Sequence, residues 1–274
     1  MRNSSPRDVY WLGLVVGNTR LHWGLFCQQQ LQAVWHTPHL TAVQVAELIS
    51  HQFSAAGWRS LSGFEGTTKE LAALDVITTT KPTLPLCCAS VVPAQTALWQ
   101  RYPTFREVTL ADISLANLYP TLGIDRALNL LGAGDRYGWP TLVIDAGTAL
   151  TFTAGTAGRF IGGAILPGLT TQFDTLAGNT ANLPAVHSQA ELPTRWAHNT
   201  ADAMRSGITY GTLAAVADYI QAWYQEHPAG HVVLTGGDGP SLYQWSKRLN
   251  PKTPEMLLEP HLTFFGLGQL PSNM

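Results

Sequence analysis

Leu14-Val15-Val16-Gly17-Asn18-Thr19 runs directly into Arg20-Leu21-His22-Trp23-Gly24-Leu25-Phe26, an apolar strand, a Gly-Asn bend and a second strand with Leu21, Trp23 and Leu25 alternating. About 130 positions later the pattern returns. Thr141 to Ala146 is an apolar strand, Gly147-Thr148 a turn, Ala149 to Thr153 a strand, and Arg159 to Leu166 a third that runs into Pro167-Gly168. Superposed, Leu14 falls on Ile144, Val15 on Asp145 and Gly17 on Gly147. A spacing this long is no solenoid period, which is about 20 to 50 residues. It predicts two similar α/β domains facing one another, residues 1–116 and 117–274, each with one of the hairpins.

Between the hairpins, residues 41 to 52 have the apolar spacing of a helix (Val43, Leu48, Ile49) behind a Thr cap, and Pro85 to Val92 reads as a buried strand. Pro93 to Tyr102 reads as a helix, Phe105 to Leu110 as a strand, and Gly123 to Tyr137 as a helix with Asp125 and Arg126 in its first turn. Ala201 to Gln225 is the longest helical stretch; Gly207 and Gly211 within it predict close packing against another backbone. Val232 to Thr235 is a strand that empties into Gly236-Gly237-Asp238-Gly239.

Of 274 residues, 45% are apolar, 12% are charged and nine are Trp, the composition of a packed globular chain. Sixteen basic against eighteen acidic side chains, without a dense Lys/Arg cluster, argue against nucleic acid as a partner. No run approaches the ~18 apolar residues of a membrane span, and Met-Arg-Asn-Ser-Ser-Pro at the start is not a hydrophobic export segment, so a cytoplasmic protein is expected. Cys27, Cys87 and Cys88 lack zinc-like spacing and are expected to be reduced, structural thiols.

A Gly at a hairpin bend lets the backbone approach a ligand, and the Asn or Thr beside it adds a donor for phosphate oxygens. One such bend is an ordinary good turn; two at matching domain positions point to a grip on one polyphosphate. In Gly123-Ile124-Asp125-Arg126 the aspartate can take the proton of an attacking hydroxyl and the arginine can hold a substrate carboxylate or hydroxyl; a helix-start acid and a surface arginine would read the same way. Asp145, with no basic neighbour in sequence, needs a cation, water or turn amides to meet its charge. The Gly236 loop suits a nucleotide lying against the backbone, or simply a turn that needs positive φ.

In order, V-V-G-N-T (15 to 19), S-V-V-P (90 to 93), G-I-D-R (123 to 126), D-A-G-T-A (145 to 149), G-G-A-I-L-P-G (162 to 168), N-T (199 to 200) and T-G-G (235 to 237) resemble type III pantothenate kinase over nearly the whole chain. The resemblance implies two duplicated ribonuclease H-like domains of the sugar-kinase/actin superfamily, with ATP in the interdomain cleft. It implies phosphorylation of pantothenate on its primary hydroxyl, the first step of coenzyme A synthesis, with ATP, Mg²⁺ and a monovalent cation, K⁺ or NH₄⁺, by a homodimer. By that resemblance Asp125 is the proton acceptor, and Gly123, Ile124, Asp125, Arg126 and Thr200 bind pantothenate. Val15, Val16, Gly17, Asn18, Thr19, Arg20, Leu21 and His22 form the first phosphate-binding segment, Thr148 contacts ATP, and Asp145 binds the monovalent cation. The family also carries a substrate tyrosine upstream of G-x-D-R, and Tyr119 lies nearer than the usual spacing. Where the family has D-x-G-N-T, this chain has Val15 for the aspartate, which keeps open a non-catalytic nucleotide-binding regulator of the same fold beside the kinase; a sugar kinase of the superfamily is the other alternative.

Overall fold

The computed structural model describes residues 9–80, 83–250 and 255–270. In the first sheet, β1 (Tyr10–Val16), β2 (Arg20–Cys27) and β3 (Gln30–Pro38) form an antiparallel meander, and β4 (Leu86–Ser90) and β5 (Phe105–Val108) continue it parallel to β1, in the order β3-β2-β1-β4-β5. The second sheet repeats the plan with β6 (Thr141–Ala146), β7 (Ala149–Thr156), β8 (Arg159–Pro167), β9 (His231–Thr235) and β10 (Leu257–Leu258), in the order β8-β7-β6-β9-β10. The same order, with the same mixture of antiparallel and parallel pairs, is the duplication expected from the two hairpins.

The chain forms two compact units: the described residues of Met1–Ser114, Leu118–Gly132 and Thr263–Met274, and those of Leu115–Asn117 and Ala133–Leu262. The division is thus discontinuous, where the sequence suggests a single cut after residue 116. The helix α5 (Ile124–Tyr137) contributes to both, and the last helix among the described residues, Leu262–Gly268, returns almost entirely to the first unit.

In the first unit, α1 (Ala42–Ser50), α2 (Ala55–Arg59), α3 (Thr68–Thr80) and α4 (Pro93–Thr96) accompany the sheet. Thr41 starts α1 with a full capping box: its hydroxyl accepts from Gln44 N–H and the Gln44 side chain accepts from Thr41 N–H. Of the apolar positions read from the sequence, Leu48 is buried but Val43 is 66% exposed, with Val45 taking the inward place. The core is aromatic. Trp58 stands edge-on to Trp23 and Trp35 at 4.8 and 5.2 Å, and its indole N–H donates to the Phe53 carbonyl. Each such pair contributes about 1 kcal/mol beyond the area it buries. The helix after Pro93 is shorter than expected and ends at Thr96.

In the second unit, α6 (Leu169–Asn179), α7 (Thr200–Glu226) and α8 (Gly239–Leu249) supply Phe173, Ile208, Val216, Ile220, Leu242 and Trp245 to a core with Ile144, Phe152 and Leu234 of the sheet. Gly207 and Gly211 do not pack as expected: a Cβ at either would meet nothing within 4 Å. Among the described residues no helix is long and apolar enough to cross a membrane, and all three cysteines are free, with burial pushing the Cys87 thiol up to about 11.

Candidate functional site

The register of each sheet carries the comparison of the two hairpins to atomic detail. In the first, Val15 lies opposite His22 on one side and Ala89 on the other, and His22 lies opposite His36. In the second, Asp145 lies opposite Thr151 and Thr235, and Thr151 opposite Ile165. Val15 therefore occupies in its sheet the place that Asp145 has in its own, and its row has imidazoles where a carboxylate is absent. His22 Nδ1 and His36 Nδ1 are 2.9 Å apart, so one donates and the other, unprotonated there, accepts.

The first bend closes with Gly17 N–H donating to Arg20 O at 3.0 Å, and the Gly17 carbonyl accepts from His39 Nε2 at 2.8 Å. Asn18, Thr19 and Arg20 are exposed. Arg20 pairs with Glu65, and both side chains are about half exposed, so the pair contributes little to stability. The side chains of Val16 and Leu21 are in the core, at 1% and 0% exposure, so only their main chain can face a ligand.

The second bend closes with Gly147 N–H donating to Ala149 O at 3.1 Å. The Thr148 carbonyl is held twice, by Gly168 N–H at 3.0 Å and by the Thr171 hydroxyl at 2.6 Å. Neither bend glycine is demanded by its surroundings. A Cβ at Gly17 would come no nearer than 3.4 Å to Arg20 O, and one at Gly147 no nearer than 3.5 Å to Asp145 Oδ1, both ordinary contacts.

The half-buried Asp145 carboxylate lies against the glycine loop after β9, since a Cβ on Gly236 would be 2.5 Å from its Oδ1. Gly236 has φ +87°, and Asp238 N–H donates to Ala146 O at 2.9 Å. The turn explanation accounts for Gly236, whereas Gly237 faces space with nothing within 4 Å. Burial raises the Asp238 carboxyl above its ordinary range. Among the described residues no three His, Cys, Asp or Glu side chains gather as a metal cluster. A cation at Asp145 would meet a carboxylate and other oxygen donors, a hard-donor set that suits K⁺ or Mg²⁺ and not a softer metal.

Asp125 and Arg126 sit in the first turn of α5. Asp125 Oδ1 accepts the Arg126 N–H at 2.8 Å, and a Cβ on Gly123 would lie 2.5 Å from that oxygen, so glycine at 123 leaves the carboxylate its place. Burial raises the Asp125 pKa above the usual carboxylate range; the Arg126 N–H and the Arg126 charge act against that without cancelling it. A raised carboxyl is a better proton acceptor once ionised. Arg126 is no surface arginine: it is 6% exposed, and its Nη1 donates to Tyr119 OH at 3.1 Å. Tyr119, nearer to the motif than the usual spacing, thus meets its arginine. The Ile124 side chain is buried at 7% exposure. Thr200 is exposed at the start of α7, whose cap is Asn199, accepting from Asp202 N–H at 2.9 Å. Gly123 to Arg126 and the first hairpin thus belong to the first unit, and Asp145, Thr148 and Thr200 to the second. His39 and Thr171, which hold the two bends, carried no sequence signal because each is far in the chain from the carbonyl it meets.

The profile of a family described as type III pantothenate kinase matches residues 11–222. The type III pantothenate kinase of Nostoc sp. is 43% identical over 261 residues, 94% of this chain and 92% of that protein. That of Synechococcus elongatus is 40% identical over 265 residues, 96% of this chain and 97% of that protein. Among solved structures, a Campylobacter jejuni protein assigned to the Baf family of transcriptional activators superposes with a TM-score of 0.58 at 17% identity, over 93% of this chain and 94% of that one. At that identity the likeness carries the fold alone.

Proposed function

The chain belongs to the type III pantothenate kinase family and is an ATP-dependent pantothenate kinase acting in coenzyme A biosynthesis; from that premise we propose how its residues divide the work. Asp125 accepts the proton of the pantothenate hydroxyl as the oxygen attacks the γ-phosphate, and the observation that carries this is a carboxylate raised by burial at a helix start, beside a buried arginine. Arg126, steadied by Tyr119, binds pantothenate together with Gly123, Ile124 and Thr200; a guanidinium is the natural partner for the pantothenate carboxylate. Phosphoryl transfer asks mainly for positioning and charge neutralisation, so one well-placed base suffices.

The first hairpin, Val15 to His22, holds phosphate through its bend; Thr148 contacts ATP and Asp145 holds K⁺ or NH₄⁺. With Val15 lacking a carboxylate, Mg²⁺ would be held by phosphate, water and Asp145, and when bound it would supply charge neutralisation on the transferred group. The steric freedom of Gly17 supports the phosphate reading, because the fold itself has no need of glycine there. Gly17→Ala is expected to keep the wild-type melting temperature and raise KM for ATP roughly tenfold, as a methyl takes space a phosphate oxygen needs. A variant with lowered melting temperature and unchanged KM would count against it.

ATP as donor and three free thiols suit a cytoplasmic enzyme. The homodimer has a surface to offer: Ile161 and Ile165 on the edge strand β8 are 47% and 61% exposed. Ile165→Glu is expected to shift the mass seen by light scattering from dimer to monomer, and an unshifted dimer would place the interface elsewhere. The deciding assay couples ADP release to pantothenate, with and without K⁺ or NH₄⁺. Release that requires both pantothenate and the cation is expected; release without pantothenate would overturn the acceptor assignment.

A further inference from the structure

We propose that His39 is a positioning residue of the kinase reaction: it holds the Gly17–Asn18 peptide from behind so that the Asn18 N–H stays aimed at ATP phosphate. The inference rests on the reading of the first hairpin as a phosphate-binding bend.

His39 follows β3 by one residue and is 22 positions from Gly17, yet its Nε2 lies 2.8 Å from the Gly17 carbonyl oxygen. A carbonyl oxygen only accepts, so Nε2 carries the proton, in the neutral ring or in the cation alike. Among the described residues the only cis peptide is Trp139–Pro140, so the Gly17–Asn18 peptide is trans. In a planar trans peptide the C=O and N–H point in opposite directions. Fixing the Gly17 oxygen on the His39 side therefore directs the Asn18 N–H to the other side, at a bend whose Asn18 and Thr19 are exposed.

Such a peptide needs holding. Gly17 accepts most backbone torsions, and asparagine tolerates the left-handed region better than other residues with a Cβ, so this plane can turn over at small cost. A hydrogen bond into the carbonyl also polarises the unit and strengthens its N–H as a donor. The lever is itself anchored. Leu40, next in the chain and 3% exposed, is gripped at both its N–H and its carbonyl by the Gln95 side chain of α4, at 3.2 and 3.1 Å. In the second unit a bend carbonyl is also held, one position later than the match of Gly17: Gly168 N–H and the Thr171 hydroxyl donate to Thr148 O. A carbonyl held from behind is thus common to both bends.

Steady-state kinetics and melting of the full chain test the clamp. In His39→Ala, KM for ATP is expected to rise roughly tenfold, the effect of losing one hydrogen bond's worth of positioning, while kcat at saturating ATP and KM for pantothenate stay within about twofold. His39→Gln, whose amide donates from nearly the same point, is expected to return KM for ATP to within about threefold of wild type. A purely structural histidine would not give that split or that rescue. If His39→Ala fails to fold, His39→Gln against His39→Phe makes the same comparison. The clamp is overturned if Gly17→Ala raises KM for ATP while His39→Ala does not, or if glutamine is as poor as alanine. If Gly17→Ala also leaves KM for ATP unmoved, the phosphate reading of the hairpin fails and the clamp fails with it.

Discussion

Asp125→Asn is expected to fold, bind ATP and pantothenate with KM values close to wild type, and turn over about a hundredfold or more slowly. The amide occupies the carboxylate's volume, and its oxygen can still accept the Arg126 N–H that Asp125 Oδ1 now accepts at 2.8 Å. What it lacks is a basic lone pair for the hydroxyl proton. The loss should appear in kcat and leave KM, the signature of an interaction made in the transition state. Near-wild-type turnover would remove Asp125 as the base.

The same variant has a pH signature. Burial lifts the Asp125 pKa above the usual carboxylate range, so the acid limb of the wild-type rate profile should lie above that of a free aspartate and be missing from Asp125→Asn. The stability sign follows from linkage. A carboxyl whose folded pKa is raised contributes stability that is fully present below its unfolded pKa and is lost as pH rises through the folded one. Asparagine mimics the protonated form throughout. The melting temperature of wild type relative to Asp125→Asn should therefore fall as pH climbs from the ordinary aspartate pKa through the raised one, and at neutral pH the variant should be no less stable. A wild type that gains on the variant with rising pH would contradict the raised pKa.

Gly168→Ala is expected to damage fold and activity together, by about 1–3 kcal/mol of stability and roughly tenfold or more in KM for ATP. Gly168 caps α6 at φ −66°, a torsion alanine adopts freely, so backbone preference is not the cause. The cause is contact: an added Cβ would lie 2.0 Å from Gly147 O and 2.8 Å from Thr148 O, both rigid backbone. Either the start of α6 or the second bend must move, and the two hydrogen bonds on the Thr148 carbonyl go with it. Thr171→Val, which removes one of those bonds without a clash, should show a smaller rise in KM and little change in melting. Equal effects from the two variants would mean that the steric argument is wrong.

Strand-turn-strand segments were legible because alternation and a bend glycine are local properties: β6 came out residue for residue, and β1, β2, β7 and β9 to within a few residues. The duplication followed from them, and so did the unequal pair Val15 and Asp145, which the two sheet registers place in matching positions. Elements with weak period were not legible. β3 is an edge strand with Gln30 and Gln32 exposed, α3 ends in three threonines, and α6 mixes Thr, Gln and Asp into its first two turns. Gly207 and Gly211 were misread because an open helix face and a crowded one carry the same glycines in sequence.

By itself, then, the sequence determined the repeated hairpin plan, the family and the residue types available for phosphoryl transfer, all properties of short segments and their order. Tertiary structure alone decided what stands behind them: that Arg126 is buried and meets Tyr119, that Asp125 is raised by burial, that His39 reaches Gly17 across 22 positions and Gly168 meets Thr148 across 20. The reason is physical. Periodicity records which way a side chain points from its own element, whereas desolvation and contacts across long stretches of chain exist only once those elements have packed.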